Sequence, residues 1–224
     1  MKNKIYRGQF YTTTNPFNLS IFKEWLLLAD PNVILEPFAG SNNLVSMVEG
    51  SYKWDCFDIE PAKINKVPKF PIKKLNVLAD FPKGYKVAIT NPPYLAKNSA
   101  TSKKLPFPKT KYDNLYKEAL NLLLENCDFV CAIVPNSFIN ANLFQERLFA
   151  FIELNVKMFE DTDCPVCMVL FVPWKIKDSK VYRMNEYLGT FSSLKDEPNQ
   201  EVINIGKIYK FNDSNGEIGV RNSF

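Results

Sequence analysis

Two consecutive prolines, Pro92 and Pro93, stand one residue, Asn91, after the apolar run Tyr85-Lys86-Val87-Ala88-Ile89-Thr90. The run predicts a buried strand, and neither proline can donate the backbone hydrogen bond that a strand ladder requires. The residue ahead of a proline is itself held extended, so the chain must leave its sheet here in a fixed direction. That exit puts an Asn amide and a Tyr ring at the carboxyl end of a strand, where open α/β sheets bind their ligands. Asn-Pro is also ordinary turn chemistry, so the turn alone fixes a position and not an activity.

The tetrapeptide Asn91-Pro92-Pro93-Tyr94 nevertheless has a definite chemistry open to it. The Asn91 side-chain carbonyl and the Pro92 backbone carbonyl, held side by side, are two acceptors converging on one point. Such a point suits an –NH2 group, which has two protons to donate. Accepting both draws the planar amine toward tetrahedral geometry and frees its lone pair for attack. Tyr94 offers a flat face on which a base can stack. None of this needs a titrating base, and the chain has no histidine. Ser-His-Asp catalysis, Cys-His catalysis and His-ligated metal sites are thereby excluded.

A chain of 224 residues with 46% hydrophobic and 23% charged side chains can bury one core without staples. The net charge of +4 permits a nucleic-acid partner without demanding one. Met1 to Tyr11 is polar and carries no secretory h-region, and the longest apolar runs are too short to span a bilayer. A soluble cytoplasmic protein is expected. Five cysteines, an odd number, argue against a disulfide framework. Cys127, Cys131, Cys164 and Cys167 have a spacing open to zinc, but Cys131 and Cys167 lie in apolar runs where small thiols serve as core. No metal site is expected.

Along the chain, Asn15-Pro16 reads as the start of a helix that ends at Asp30-Pro31. Val33–Glu36 and Trp54–Ile59 read as strands around a short helix near 42–49. Leu75–Leu78 is a weak third strand and Tyr85–Thr90 the fourth. Residues 95–112 form a long basic loop without an acidic residue. A helix over Asn114–Asn126 leads to a strand at Phe129–Val134, and a helix over Ala141–Ile152 to a strand at Asn155–Phe159. Val166–Val172 is the last strand, close enough to its predecessor to pair antiparallel. The alternation predicts a doubly wound α/β sheet, mostly parallel, over residues 1–174. Residues 175–224 read as a small β-rich extension with a hairpin turn at Asn215-Gly216.

Acidic residues close the early strands. Glu36 precedes a tight loop with one glycine, Gly40, which is neither a G-x-G-x-x-G fingerprint nor a P-loop. Asp58, about twenty residues on, stands where a carboxylate accepts from ribose hydroxyls. Asp80 follows the third strand, within reach of an adenine amino group. A ligand with ribose, adenine and no phosphate fits that set, and S-adenosylmethionine is one.

In this order the residues resemble the amino-group DNA methyltransferases of the gamma, N6-adenine arrangement, with a class I, Rossmann-like sheet whose last strand is antiparallel. Gly8-Gln9-Phe10-Tyr11-Thr12 is similar to the family's N-terminal cofactor motif. Glu36-Pro37-Phe38-Ala39-Gly40, Phe57-Asp58-Ile59-Glu60-Pro61 and Leu78-Ala79-Asp80-Phe81 are similar to its first three sheet motifs. Asn91 to Tyr94 matches its catalytic motif, and Val130 to Phe138 resembles a later strand ending in Val-Pro-x-Ser-Phe. The resemblance implies S-adenosylmethionine contacts from Thr12, Glu36, Phe38, Ala39, Asp58, Ile59, Asp80 and Phe81. It implies that Asn91 and Pro92 hold the amine while Tyr94, with Phe159, stacks on an adenine flipped from double-stranded DNA. Lys97, Lys103, Lys104, Lys109 and Lys111 are expected to meet the DNA backbone. A restriction–modification setting is implied; residues 175–224 are too few to fold alone into a groove-reading domain, so sequence specificity is expected from a separate target-recognition polypeptide or a further segment. RNA and protein-glutamine methyltransferases share the four-residue motif, and a non-catalytic subunit of such a complex is the other reading.

Overall fold

The computed structural model describes Phe10, residues 12–160 and residues 162–196. The Asn215-Gly216 turn and the Gly8, Gln9 and Tyr11 positions lie outside the described residues. Helix α1 is Ser20–Ala29, followed by strands β1 (Val33–Glu36), β2 (Lys53–Asp58), β3 (Ile72–Lys74) and β4 (Val87–Thr90). Helices α2 (Lys97–Ser102) and α3 (Leu115–Asn126) precede β5 (Phe129–Pro135). Then come β6 (Leu148–Leu154), β7 (Val166–Phe171), β8 (Lys180–Arg183), β9 (Glu186–Thr190) and α4 (Phe191–Asp196).

The strands form one sheet in the order β3-β2-β1-β4-β5-β7-β6-β8-β9. All pairs from β3 to β5 are parallel. β7 runs antiparallel between β5 and β6. β8 returns parallel to β6 and β9 antiparallel to β8, so this part of the extension continues the same sheet. The chain grows outward from β1 toward β3, then restarts at β4 on the other side. The order therefore reverses between β1 and β4, the point at which such sheets open a ligand crevice.

Strand alternation divides the core in two. Ile34, Cys56, Val87, Ile89, Cys131 and Ile133 face the layer that contains Ile21, Phe22, Trp25 and Ala29 of α1. Their neighbours Leu35, Phe57, Ala88, Val130, Ala132 and Val134 face Tyr116, Leu120 and Leu123 of α3. Successive residues thus point to opposite faces and find apolar cover on both, which is why these strands read as continuous apolar runs. Asn114 caps α3, its side chain accepting from the Tyr116 amide.

Several sequence expectations need correction. α1 begins at Ser20, because Asn15 Oδ1 accepts from the Phe17 amide at 2.8 Å and closes a turn ahead of the helix. Residues 42–47 are turns and not a helix, with Asn42 left-handed at φ 61°. The third strand is Ile72–Lys74, three residues before the expected one. Ala141–Ile152 is not a helix: 3-10 turns at Asn136–Ala141 and Gln145–Arg147 lead into β6. Six of the seven β6 residues are buried, and an apolar run covered on both faces has no period that separates strand from helix. Residues 155–159 carry only the isolated bridge of Thr12 to Phe159. The basic segment is not all loop, since α2 lies within it.

Candidate functional site

A cleft of about 290 Å³ opens at the carboxyl ends of β2, β1 and β4, lined by residues from the N-terminal segment, the β1 and β2 loops, the turn after β4 and the basic segment. It sits at the reversal of strand order, and its volume is at the lower end for ligand pockets. Thr12, Glu36, Phe38, Ala39, Asp58 and Ile59 all line it, as do Asn91 and Pro92. Asp80, Phe81 and Tyr94 do not. Asn76, Val77 and Leu78 form the wall there, while Asp80 is exposed and Phe81 packs toward the α3 core.

The backbone amides of the β1 loop are spent within the protein. The Phe38 amide donates to Glu36 Oε1 at 2.9 Å, the Ala39 amide to the Phe57 carbonyl at 2.9 Å, and the Gly40 amide to Asp58 Oδ2 at 2.8 Å. Gly40 takes φ 55°, a left-handed conformation that glycine adopts without strain. A phosphate cradle needs such amides free, so this loop suits an uncharged sugar–base ligand better than a phosphate. Asp58 also accepts from the Glu60 amide through Oδ1 at 2.7 Å, which holds its carboxylate rigid at the cleft rim.

Glu36 is 1% exposed. Oε1 accepts from both the Phe38 amide and Thr90 Oγ1, the latter at 2.6 Å, and among the described residues none donates to Oε2. Desolvation outweighs these two donors and, with nearby Asp58 adding to it, lifts the carboxyl from its ordinary 4.5 to about 8. The group is therefore neutral at pH 7.

Asn91 is held at both ends of its amide. Nδ2 donates to the Phe10 carbonyl at 2.9 Å and to Thr12 Oγ1 at 3.3 Å, and Oδ1 accepts from the Tyr94 hydroxyl at 2.6 Å. The carbonyl of Phe10 can only accept, so this network sets which way the amide faces. Thr12 is tied in turn to the β1 loop, its carbonyl accepting from Asn43 Nδ2 at 3.0 Å. Thr13 and Thr14 bond the Met158 and Lys157 carbonyls, so the N-terminal strap crosses from one side of the cleft to the other.

Tyr94 is half-buried, its ring centroid 5.8 Å from Phe10, 6.1 Å from Phe159 and 6.3 Å from Tyr116. Phe159 is 1% exposed and packs within this cluster, so it has no open face for an incoming base. It lies in this cluster and not on the cleft wall, because residues 155–159 fold under the N-terminal strap instead of forming a strand beside the cleft.

The basic segment covers one side of the site. Leu95, Leu105, Pro106 and Leu115 line the cleft, and Leu95, Ala100 and Leu115 form a small core with Leu78, Leu105 and Phe107 beneath it. Lys97, Lys104, Lys109 and Lys111 are exposed on its outside, and Lys103 is half-buried. Sequence reasoning missed Phe10, Asn43, Asn76 and Leu105 as site residues; only Phe10 stood inside a motif. Cys131 and Cys167 are buried strand residues whose thiols burial holds well above their usual range. No group of His, Cys, Asp and Glu among the described residues is placed to hold a metal ion. No described helix is long and apolar enough to cross a membrane.

Solved structures share this architecture. The type I restriction–modification methyltransferase subunit of Streptococcus thermophilus is 14% identical over 84% of this chain and 52% of its own, with a TM-score of 0.54. The type IIG restriction endonuclease BpuSI is 17% identical over 82% of this chain and 28% of its own, at 0.55. A Listeria monocytogenes protein assigned as a class I S-adenosylmethionine-dependent methyltransferase is 12% identical over 78% of this chain and 68% of its own, at 0.51. The chain spans about half the length of the modification subunits that it matches. No protein-family model and no curated protein sequence matches it. The fold is thus α/β, with a mostly parallel sheet that matches these class I methyltransferase structures.

Proposed function

We propose that the chain is an S-adenosylmethionine-dependent methyltransferase acting on the exocyclic amino group of adenine in DNA. The observation that carries this reading is the doubly anchored Asn91 amide beside Pro92 in a cleft whose loop amides are unavailable to phosphate. The residues present fit the cofactor. Glu36 Oε2 has no donor among the described residues, Asp58 holds a carboxylate at the rim, and Ile59 is half exposed as an apolar flank for a base. When bound, S-adenosylmethionine supplies an electrophilic methyl group.

The chain's own part is to bind and to orient. Asn91 Oδ1 and the Pro92 carbonyl accept the two amine protons and aim the nitrogen lone pair into the cleft. Tyr94 offers its ring to the flipped base, with Phe10 and Phe159 packed beside it. Leu95, Leu105 and Leu115 keep water from the reacting atoms, and the surplus proton on the methylated nitrogen passes to solvent. Exposed lysines of residues 97–111 contact DNA phosphates on the outer side of the same segment. The resemblance to modification subunits supports a restriction–modification setting in which another polypeptide reads the base sequence.

Calorimetric titration with S-adenosylmethionine, followed by transfer of a labelled methyl group to DNA, RNA and protein substrates, tests this. The expected product is N6-methyladenine in digested DNA. Label found only in RNA or protein, or no cofactor binding, overturns the reading.

A further inference from the structure

We infer that the Tyr94 hydroxyl is a two-position hydrogen-bond donor that holds Asn91 ready and then yields its carbonyl oxygen to the substrate amine. The inference rests on the amino-methyltransferase reading above. The hydroxyl oxygen lies 2.6 Å from Asn91 Oδ1 and 2.8 Å from the Ile133 carbonyl on the neighbouring strand β5. A phenol has one proton, so it donates to one of these oxygens at a time.

With the proton on Asn91 Oδ1, the amide is pinned at both ends, since Nδ2 is held by Phe10 and Thr12. When the substrate amine reaches Oδ1, the hydroxyl turns to the Ile133 carbonyl. That turn needs rotation about the C–O bond alone. The ring stays still among Phe10, Tyr116 and Phe159. At no point is a buried donor left unpaired, which would otherwise tax the binding step. Burial also pushes the phenol's pKa well above its ordinary value, so the group remains a donor through neutral pH. Tyr94 is then a positioning residue for Asn91 in addition to its role as a ring.

Tyr94→Phe keeps the ring and removes the donor. Single-turnover methyl transfer is expected to fall about tenfold, with KM for DNA and the cofactor Kd unchanged within about twofold. Ring-fluorinated tyrosines at position 94, which vary phenol acidity at nearly constant shape, should give graded rates. A tyrosine that only packs or stacks leaves every one of these rates at the wild-type value, and that result overturns the inference. A second readout needs no activity: the Asn91 side-chain amide resonances, identified by their loss in Asn91→Ala, should move in Tyr94→Phe. If wild-type protein transfers no methyl group, the proposed function falls. The amide resonances then decide the hydrogen bond alone, and unmoved resonances overturn it.

Discussion

Thr90 Oγ1 donates to Glu36 Oε1 at 2.6 Å, joining the carboxyl ends of the two strands between which the sheet order reverses. Burial still dominates this contact and keeps Glu36 protonated up to about pH 8. A carboxyl raised in the fold binds more protons native than unfolded, so its contribution is fully present below about pH 4.5 and lost as pH rises through about 8. Wild-type stability should therefore decline across that window by at most about 1.4 kcal/mol per pH unit from this group. Urea midpoints at pH 5, 6, 7 and 8 measure it. Glu36→Gln should flatten that slope, and an unchanged slope would show that another group sets it.

Asn91→Ala removes one of two converging acceptors without touching the β1 and β2 loops. Transfer should fall by about 100-fold or more, as for other preorganised polar stabilisers, while cofactor affinity stays within a few-fold. Rapid-quench transfer and calorimetry separate the two effects. Near-wild-type turnover would remove Asn91 from the mechanism.

Asp58 spans two loops through the Gly40 and Glu60 amides. Asp58→Ala frees both donors and removes the rim carboxylate. Cofactor affinity should drop by at least tenfold, since hydrogen bonds to a charged group are worth about 1.5–3 kcal/mol. Affinity equal to wild type in a titration would make Asp58 a loop clamp only.

Arg147 donates to the carbonyls of Val172, Leu124, Cys127 and Asp128, stitching α3 and the start of β5 to the end of β7. Arg147→Ala should cost about 2–4 kcal/mol, discounted for its partial exposure. Arg147→Lys should recover less than half, because a single ammonium cannot serve so divergent a set. Chemical denaturation of the two variants gives the numbers, and a lysine variant as stable as wild type would refute the point.

Lys104 and Lys109 are exposed on the outside of the cleft-covering segment. Replacing both with alanine should weaken DNA binding for all sequences alike and reduce the slope of log K against log salt by about 2. Fluorescence anisotropy over a salt series reads this directly. An unchanged slope would move the DNA path elsewhere.

The strands that carry the site were legible because each is a short apolar run ending in Glu36, Asp58 or Asn91. Position on such a strand sets direction, so their convergence followed from the fold class. β6 was not legible, since Leu148 to Leu154 has cover on both faces and hence no period. The wall contributed by Leu105 and Pro106 was hidden too. Their neighbours Lys103, Lys104 and Lys109 give the segment the composition of a solvated loop, and only packing on Leu78 and Leu95 turns it inward. Phe159 looked like a rim aromatic from its place just before the last strand that the sequence predicts, Val166–Val172. Its burial depends on a bridge to Thr12, some 150 residues away, which no local pattern encodes.

Adjacent strands β2, β1 and β4 also act as a ruler. Neighbouring strands lie about 4.8 Å apart, so Asp58 and Asn91, separated by one intervening strand, stand at ends of a gap of about 10 Å in the plane of the sheet. A molecule no longer than a purine or a free amino acid can occupy one end of that gap at a time. An occupant as long as a nucleoside joined to an amino acid would reach from the rim carboxylate to the amide. The width of two strands makes the crevice a length filter as well as a chemical one.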